Sequence, residues 1–476
     1  MSSPEPPLYV DLDGTILSTD LLHESFVSAF KASPWVAVQC VGWTLKGRAR
    51  LKEELAARAS IDVATLPYRE PVLAFLREER ARGRRIVLIT ASWITQAEAV
   101  SRHLGLFDEV MATTRAGNLK GDAKATRIAE QSADASFDYV GDNRADLPVW
   151  RRSRYAYVVE RSDRLSRSIP PSVPVKRVFR PDDGGESGVA AIKALRPHQW
   201  AKNLLVFVPL VAAHRIGNPA ALASATWAFV AFCLLASSAY LLNDLLDLRA
   251  DRAHPRKRHR PLASGKLSIP DAAVLLAGCL LAGAGVVMIL PPYFQASIAA
   301  YFLLTLAYSF RLKGAAILDV ISLAALYTLR IIAGGFAIAA PVSFWLLAFA
   351  MFLFFSLALV KRYAELIALD DEGIRDAPGR GYAGHDIQLI LALGSASAMV
   401  SALVLALYIS GEGAKDLYAR PEFLWVLCPM LLYWISRIWL LAARGQMHED
   451  PVLFAVRDKA SYVVAAAGAL VVFLAT

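Results

Sequence analysis

Residues 243–265 read NDLLDLRADRAHPRKRHRPLASG and follow directly on the apolar run WAFVAFCLLASSAYLL at 227–242. Extended back to 222, that run reaches the ~20 residues a helix needs to cross a bilayer. Its end carries three aspartates and then a dense basic tract. On a continuous helix Asp244, Asp247 and Asp251 fall at i, i+3 and i+7, with Asn243 one turn before Asp247, so the four side chains share a face. Three carboxylates on one face repel. Hard oxygen ligands at a cavity mouth suit Mg²⁺, which commonly completes its shell with substrate phosphates, so a metal-bridged diphosphate is the natural guest. The charges alone also fit a solvated acidic helix end before an ordinary basic loop.

The rest of the chain supports a membrane setting. Of 476 residues 56% are hydrophobic, the formal charge is +9, and the apolar residues concentrate after about residue 200. Apolar runs near 204–213, 222–242, 271–291, 293–309, 316–339, 343–360, 387–409, 422–441 and 460–475 predict about nine spans. With a cytoplasmic start, the inner loops hold nearly all the Lys and Arg of this half, and the outer loops hold Arg215, Lys415 and Arg420, which obeys the positive-inside rule. No basic-then-apolar leader opens the sequence, so residues 1–195 are expected in the cytoplasm of a bacterial-type inner membrane protein. Cys40, Cys233, Cys279 and Cys428 lie far apart and read as packing residues. No nucleic-acid partner is expected, and a homo-oligomer is left open.

Polar groups gather at the cytoplasmic ends of spans in RPHQWAKN (196–203), HPRKRHRPLASG (254–265), YSFRLKG (308–314) and VKRYAEL (360–366). Asp319 and Arg330, eleven residues apart on one span, are about three turns apart on nearly the same face. Ionisable groups at that depth line a substrate path or pair with a neighbouring helix. The pattern NDxxDxxxD closing a span, followed by RPLASG and then YSxxLK, resembles the UbiA superfamily of intramembrane prenyltransferases over roughly residues 190–476. RPHQWAKN, HPRKRHRP, LRIIAGG, KRYAEL and MHEDPVLFAVRD (447–458) look most like the branch typified by decaprenyl-phosphate phosphoribosyltransferase. That resemblance implies Mg²⁺ on Asp244, Asp247 and Asp251, the first two catalytic. It also implies substrate contacts from Asn243, Lys202, Arg260, Lys313 and Arg330. The implied substrates are phosphoribosyl pyrophosphate and a polyprenyl phosphate. The second aspartate motif usual in the superfamily is replaced by Lys361, Arg362, Tyr363 and Glu365, with Asp370 and Asp371 at the wrong spacing. Lysine and arginine bind phosphate directly, so this cationic set suits a monophosphate ligand, although positive-inside anchoring also accounts for either residue alone.

The first half reads as a doubly wound α/β domain. LYVDLDGT (8–15) is a short strand followed by two aspartates and a glycine turn, and RRIVLIT (84–90), FDYVGD (137–142) and YAYVVE (155–160) repeat the strand pattern between helical stretches. Asp11 and Asp13 alternate at a strand's C-terminal edge, where open α/β sheets bind ligands. DxDGT, Thr90 after a strand, a lysine before a helix and GDNRAD (141–146) together resemble the haloacid dehalogenase superfamily over roughly residues 5–160. By that resemblance Asp11 is the nucleophile and Asp13 the general acid/base. Thr90 and Lys124 hold the phosphate, with Lys120 a rival for the lysine role. Asp11, Asp13 and Asp142 carry Mg²⁺, with Asp146 nearby. The chemistry needs these types: one carboxylate attacks phosphorus, a second protonates the leaving oxygen, and a metal with a lysine neutralises the repulsion. The residues between Asp13 and Thr90 look helical and are expected to cap the pocket.

The expected chain therefore has a haloacid dehalogenase-like phosphatase domain at 1–160, a linker at the membrane surface at 161–195 and an all-α transferase domain at 196–476. The leading expectation is transfer of 5-phosphoribose to a polyprenyl phosphate, with the first domain removing the 5-phosphate. The alternative enzyme moves a prenyl group to an aromatic or lipid acceptor. A transporter with a soluble regulatory domain is the non-enzymatic alternative, and the spans show no repeat that would support it.

Overall fold

The computed structural model of the chain describes residues 5–131, 136–180, 187–371, 381–447 and 450–476. It contains two compact units, one of residues 1–195 with 240–275, the other of residues 196–239 with 276–476.

The first unit is built on six parallel strands: β1 (Leu8–Val10), β2 (Ile86–Trp93), β3 (Glu109–Thr113), β4 (Asp138–Gly141), β5 (Tyr155–Val159) and β6 (Val175–Phe179). Their order is β3-β2-β1-β4-β5-β6. Val10 pairs with Leu88 on one side and with Val140 on the other. Alternate residues fill two cores. Leu8, Val10, Ile86, Leu88 and Val140 face one layer, and Tyr9, Val87, Ile89 and Tyr139 face the other. Both faces are covered, as parallel sheets require. The chain winds outward from β1 to β3 and then from β4 to β6, so the topological switch lies between β1 and β4, and the crevice at their carboxyl ends is the ligand position of such sheets. Helices Leu21–Ala32, Val36–Leu45 and Arg48–Arg58 form the expected insertion between β1 and β2.

Two strands lie where none was expected. β3 is a short segment with little apolar alternation, and β6 pairs in parallel with β5 inside the stretch read as linker, so the sheet runs past residue 160. In β6 the signal is masked by the Pro, Ser and Arg around VKRVF.

Among the described residues seven helices are long and apolar enough to cross a membrane: Pro219–Leu246, Ile269–Met288, Pro292–Phe310, Leu318–Ala337, Phe344–Ala368, Gly384–Ser410 and Pro421–Ala443. The two other expected runs form shorter helices. The 204–213 run is divided between a 3-10 helix Pro197–Phe207 and a five-residue helix Val208–Ala212, with prolines near the start of each. The last run forms the 17-residue apolar helix Lys459–Ala475. Leu318–Ala337 is the most enclosed span, with 67% of its apolar window buried, so its ionisable groups face protein. Its close approach to the Pro197–Phe207 segment needs Gly334, where a Cβ would lie 2.1 Å from the Val206 carbonyl oxygen.

Candidate functional sites

At the switch point of the sheet, Asp11 follows β1 and Asp142 follows β4. Oxygens of Asp11, Asp142 and Asp146 all lie within 4.8 Å of one another, and this is the one such acidic group among the described residues. Lys124, 2% exposed, places Nζ 3.0 Å from Asp11 Oδ1 and 3.3 Å from Asp146 Oδ1. The Tyr139 hydroxyl donates to Asp146 Oδ1 at 2.7 Å and accepts from Lys124 at 2.9 Å. Thr15 donates to Asp142 at 3.1 Å. Lys120 is exposed, so the structure brings Lys124, and not its rival, to the carboxylates. Gly14 has φ +76°, and a Cβ there would sit 2.0 Å from Asp142 Oδ2. Only glycine lets this turn close over that carboxylate.

Asp13, assigned to the metal by resemblance, is turned elsewhere. Its carboxylate accepts from Ser92 Oγ at 2.5 Å, from the Leu21 N–H at 2.9 Å and from Thr90 Oγ1 at 3.4 Å. Asp146 takes the third corner of the acidic group instead. Burial, followed by the charge of Asp20, raises the Asp13 carboxyl to about 7. Burial also raises Asp11 to about 6, partly opposed by Lys124. Asp142 is pushed well above the ordinary carboxyl range by burial and then by Asp11 and Asp146. For Lys124 burial opposes the charge, but Asp11 and Asp146 outweigh it and raise its pKa. One ammonium among these carboxylates leaves a negative excess, and a buried all-oxygen donor set fits a hard divalent cation. A carboxyl raised to about 7 beside one raised to about 6 is an arrangement that acid and nucleophile chemistry can use.

Three contributors escaped the sequence reading. Ser92 lies beyond the expected strand end. Lys52 of the Arg48–Arg58 helix reaches Asn118 Oδ1 at 2.6 Å, and burial holds its pKa below the lysine value against the pull of Asp13 and Asp20. Beside Asp142 opens a cavity of about 410 Å³ whose wall includes Arg69, Arg144, Arg161 and Arg164, with Asp142 and Glu160 as its carboxylates. Glu160 already accepts from the N–H groups of Leu165 and Ser166, at 2.8 and 3.0 Å. The wall suits an anionic guest.

The aspartate segment belongs to the same unit. The membrane helix stops at Leu246 and a second helix, Leu248–Ala253, starts after Asp247, although Asp247 N–H still bonds Asn243 O and Asp251 N–H bonds Asp247 O, both at 2.8 Å. Arg260 Nη1 lies 3.1 Å from Asp244 Oδ1 and 2.6 Å from Asp251 Oδ2. Asp247 is paired with Lys31, at 3.2 Å. The expected single face is thus divided: Asp244 and Asp251 converge, and Asp247 turns to a different cation because the helix breaks there. Asn243 is half-buried beside them. Arg260 is the cation that Asp244 and Asp251 share here, and their carboxylate oxygens are donors of the type a hard divalent ion takes.

In the second unit, Lys202 and Lys361 converge on Asp450 Oδ2 at 2.8 and 3.3 Å. The Tyr327 hydroxyl lies 3.2 Å from Asp450 Oδ1. Burial raises the Asp450 carboxyl, but the two lysines outweigh it and hold the pKa below the ordinary range. Asp450 lies within the MHEDPVLFAVRD stretch, but its pairing with Lys202 and Lys361 shows only in the fold. Arg330 donates to Asn203 Oδ1 and to the Tyr301 hydroxyl, each at 2.9 Å, and to the Leu326 carbonyl at 2.7 Å.

The cationic set expected at 361–363 is not one site. Arg362 is 1% exposed, 2.9 Å from Asp319, and also paired with Glu365. Tyr382 donates to Asp319 at 2.6 Å. Tyr363 packs edge-on against Trp439. Arg362 is thus a buried structural cation, since Asp319 needs a counter-charge inside the bundle. Asp319 pairs with it and not with Arg330. Lys313 sits half-buried in the turn Leu312–Gly314. The side chains of Asp370 and Asp371, and residues 448–449, lie outside the described residues.

A parallel sheet with carboxylates at its switch point, joined in one chain to a bundle of membrane helices closed by an aspartate segment, defines a phosphohydrolase-type domain fused to an intramembrane transferase. Residues 204–457 match the UbiA prenyltransferase family and residues 8–151 match haloacid dehalogenase-like hydrolases; the chain belongs to the UbiA prenyltransferase family and is a multi-pass membrane enzyme. It is 37% identical over 461 residues to the uncharacterized protein y4nM of Sinorhizobium fredii, covering 97% of this chain and 89% of that protein. It is 39% identical to nodulation protein NoeC of Azorhizobium caulinodans, over 57% of this chain and 88% of the relative. With decaprenyl-phosphate phosphoribosyltransferase of Mycolicibacterium smegmatis it shares 37% identity, over 56% of this chain and 86% of the relative. Among solved structures, a UbiA homolog from Archaeoglobus fulgidus bound to GPP and Mg²⁺ is similar at 18% identity and TM-score 0.47, covering 60% of this chain and 99% of that one.

Proposed function

We propose that the membrane domain transfers 5-phosphoribose from phosphoribosyl pyrophosphate to a polyprenyl phosphate in the bacterial inner membrane, and that the cytoplasmic domain hydrolyses the 5-phosphate of the product. The observation that carries the transfer reading is the pair Lys202 and Lys361 on the single carboxylate Asp450. Two ammonium groups on one carboxylate leave a positive excess, which suits a monophosphate acceptor better than a second metal-held diphosphate. The similarity to a phosphoribosyltransferase over most of that relative's length supports the same substrates.

In this reading Asn243, Asp244 and Asp251 would hold Mg²⁺, and the ion would neutralise the charge developing on the departing pyrophosphate. Arg260 yields Asp244 and Asp251 and becomes free to contact phosphate. Lys202 and Lys361 orient the lipid phosphate, one oxygen of which bonds to the anomeric carbon as its bond to pyrophosphate breaks. In the soluble domain Asp11 attacks the 5-phosphate and forms an aspartyl phosphate as the bond from phosphorus to the sugar oxygen breaks, Asp13 gives that oxygen its proton, and Lys124 balances the charge. Water deprotonated by Asp13 then cleaves the aspartyl phosphate to free Asp11 and inorganic phosphate. Thr90 and Ser92 hold Asp13 in place. The arginine-walled cavity beside Asp142 accommodates the second anionic group of such a product.

The test supplies full-length protein and Mg²⁺ with labelled phosphoribosyl pyrophosphate plus polyprenyl phosphate, and separately with prenyl diphosphate plus 4-hydroxybenzoate. Label should enter the lipid phase in the first mixture. Product in the second mixture alone would make the chain a prenyltransferase of aromatic acceptors.

A further inference from the structure

The helix Val36–Leu45 in the insertion over the phosphatase-like pocket reads VAVQCVGWTL and carries no charge. Val36, Cys40 and Trp43 pack with Leu22, Phe26 and Leu51. Its other side is uncovered: Trp35 is 73% exposed, Val38 63%, Val41 64% and Leu45 85%. These residues lie close to i, i+3, i+6 and i+10, one continuous stripe. Four large apolar side chains in a stripe on a ten-residue helix form a surface that lacks its partner.

Position, charge and size identify the partner. Lys31, four residues before Trp35, bonds Asp247 at 3.2 Å, and Asp247 directly follows the last residue of the membrane helix Pro219–Leu246. Arg252 anchors the same insertion by donating to both oxygens of Glu24 at 3.0 and 2.6 Å, and Arg249 bonds Ser60 Oγ at 2.9 Å. The stripe therefore starts within a few residues of a side chain fixed to the end of a span. Lys46, Arg48 and Arg50 follow it, all exposed, and a basic border of this kind suits anionic head groups. Ten helical residues are far too short to span a bilayer but can lie in its interface, where a tryptophan such as Trp35 is at home.

We propose that Trp35–Leu45 is an interfacial membrane helix, its Trp35, Val38, Val41 and Leu45 side chains inserted among the head groups of an anionic lipid surface. The next helix carries Lys52, whose ammonium donates to the carbonyl of Ala91, between the Thr90 and Ser92 that hold Asp13, so the insertion that touches lipid also reaches the edge of the hydrolytic site, and a phosphate ester anchored in the bilayer reaches that site without leaving it. The inference does not depend on which phosphate ester the pocket hydrolyses.

Full-length protein with its native cysteines replaced by alanine, labelled with an environment-sensitive fluorophore at Val41→Cys, is reconstituted in nanodiscs containing phosphatidylglycerol. Doxyl-labelled lipid should quench the probe at least about twofold, as expected of an apolar face buried in the acyl boundary, and leave a probe at Arg127→Cys unchanged. Quenching no greater than at the control site overturns the proposal, as does self-quenching that rises with protein density and ignores the lipid quencher, which would assign the stripe to a second copy. The unlabelled wild type provides a measurement free of the cysteine replacements. Its amides at 36–45 should exchange hydrogen more slowly in anionic nanodiscs than those of Val38→Asp/Val41→Asp, and equal exchange rates overturn the proposal.

Discussion

At the residue scale, the carboxyls of the soluble domain set the clearest expectations. Asp11, at about 6, and Asp13, at about 7, bind protons more tightly in the fold than ordinary carboxyls do. The folded domain therefore takes up protons between about pH 4 and 7, and the stability these groups contribute falls as pH rises through that window. A cation on Asp11 and Asp142 offsets the effect. The thermal midpoint of the soluble-domain transition should drop between about pH 5 and 7.5 without Mg²⁺ and drop much less with it; the same drop in both would remove the metal from this cluster. For the aspartate segment, Asp244→Asn should lower kcat for transfer by at least about a hundredfold, the scale on which losing one electrostatic contact to developing charge acts. Near-normal turnover at saturating lipid would reduce the segment to a helix end. The placement of Asp11, Asp13 and Lys124 around one pocket was legible because they fall in an ordered motif. The bridging contacts of Tyr139 and Asp146 and the pairing of Asp450 were hidden, because each depends on how the chain folds back on itself: Asp450 meets Lys202 across 248 residues.

At the element scale, Leu318–Ala337 organises the second unit. It presents Asp319 to Arg362, Tyr327 to Asp450 and Arg330 to Asn203, and it can approach the Pro197–Phe207 segment because Gly334 has no Cβ. Backbone atoms face that position, so even Gly334→Ala must part the two segments. The change should cost about 1–3 kcal/mol, the range for overpacking, read as a lower midpoint for heat aggregation in detergent; an unchanged midpoint would show the contact to be loose. Apolar length alone found the seven long spans, and it does not register Pro209, which lies where the 204–213 run passes from the segment Pro197–Phe207 to the helix Val208–Ala212. Strand alternation found four of the six strands and lost β3 and β6, short edge-side elements supported mainly by their neighbours. The pairing of Arg362 with Asp319 was equally invisible, since a cationic tract at a span end reads the same whether it meets solvent, lipid or a buried aspartate. Because Arg362 neutralises Asp319, Arg362→Gln should impair folding, whereas Lys361→Gln should raise the KM for the lipid phosphate by about 10-fold or more, as expected for a lost charge-assisted hydrogen bond.

At the scale of the whole molecule, the two activities are joined by a chemical necessity of the proposed reaction. Phosphoribosyl transfer leaves a lipid-linked pentose that still carries its 5-phosphate, and use of that lipid as a pentosyl donor requires removing it. A hydrolytic site in the same chain meets the product at a tether-limited effective concentration and not at its dilute bulk level. In the proposed order of events the phosphomonoester meets Asp11, which lies 3.0 Å from Lys124, and the neighbouring cavity, whose wall includes four arginines, suits a second anionic group. Asp11→Asn removes the nucleophile while leaving the transferase residues untouched, so the variant should transfer label from phosphoribosyl pyrophosphate at the wild-type rate and accumulate the 5-phosphorylated lipid. Wild type should release inorganic phosphate in step with lipid labelling. Separation of the lipid products by chromatography and mass spectrometry distinguishes the two, and identical products from both would mean that the soluble domain acts on a different phosphate ester.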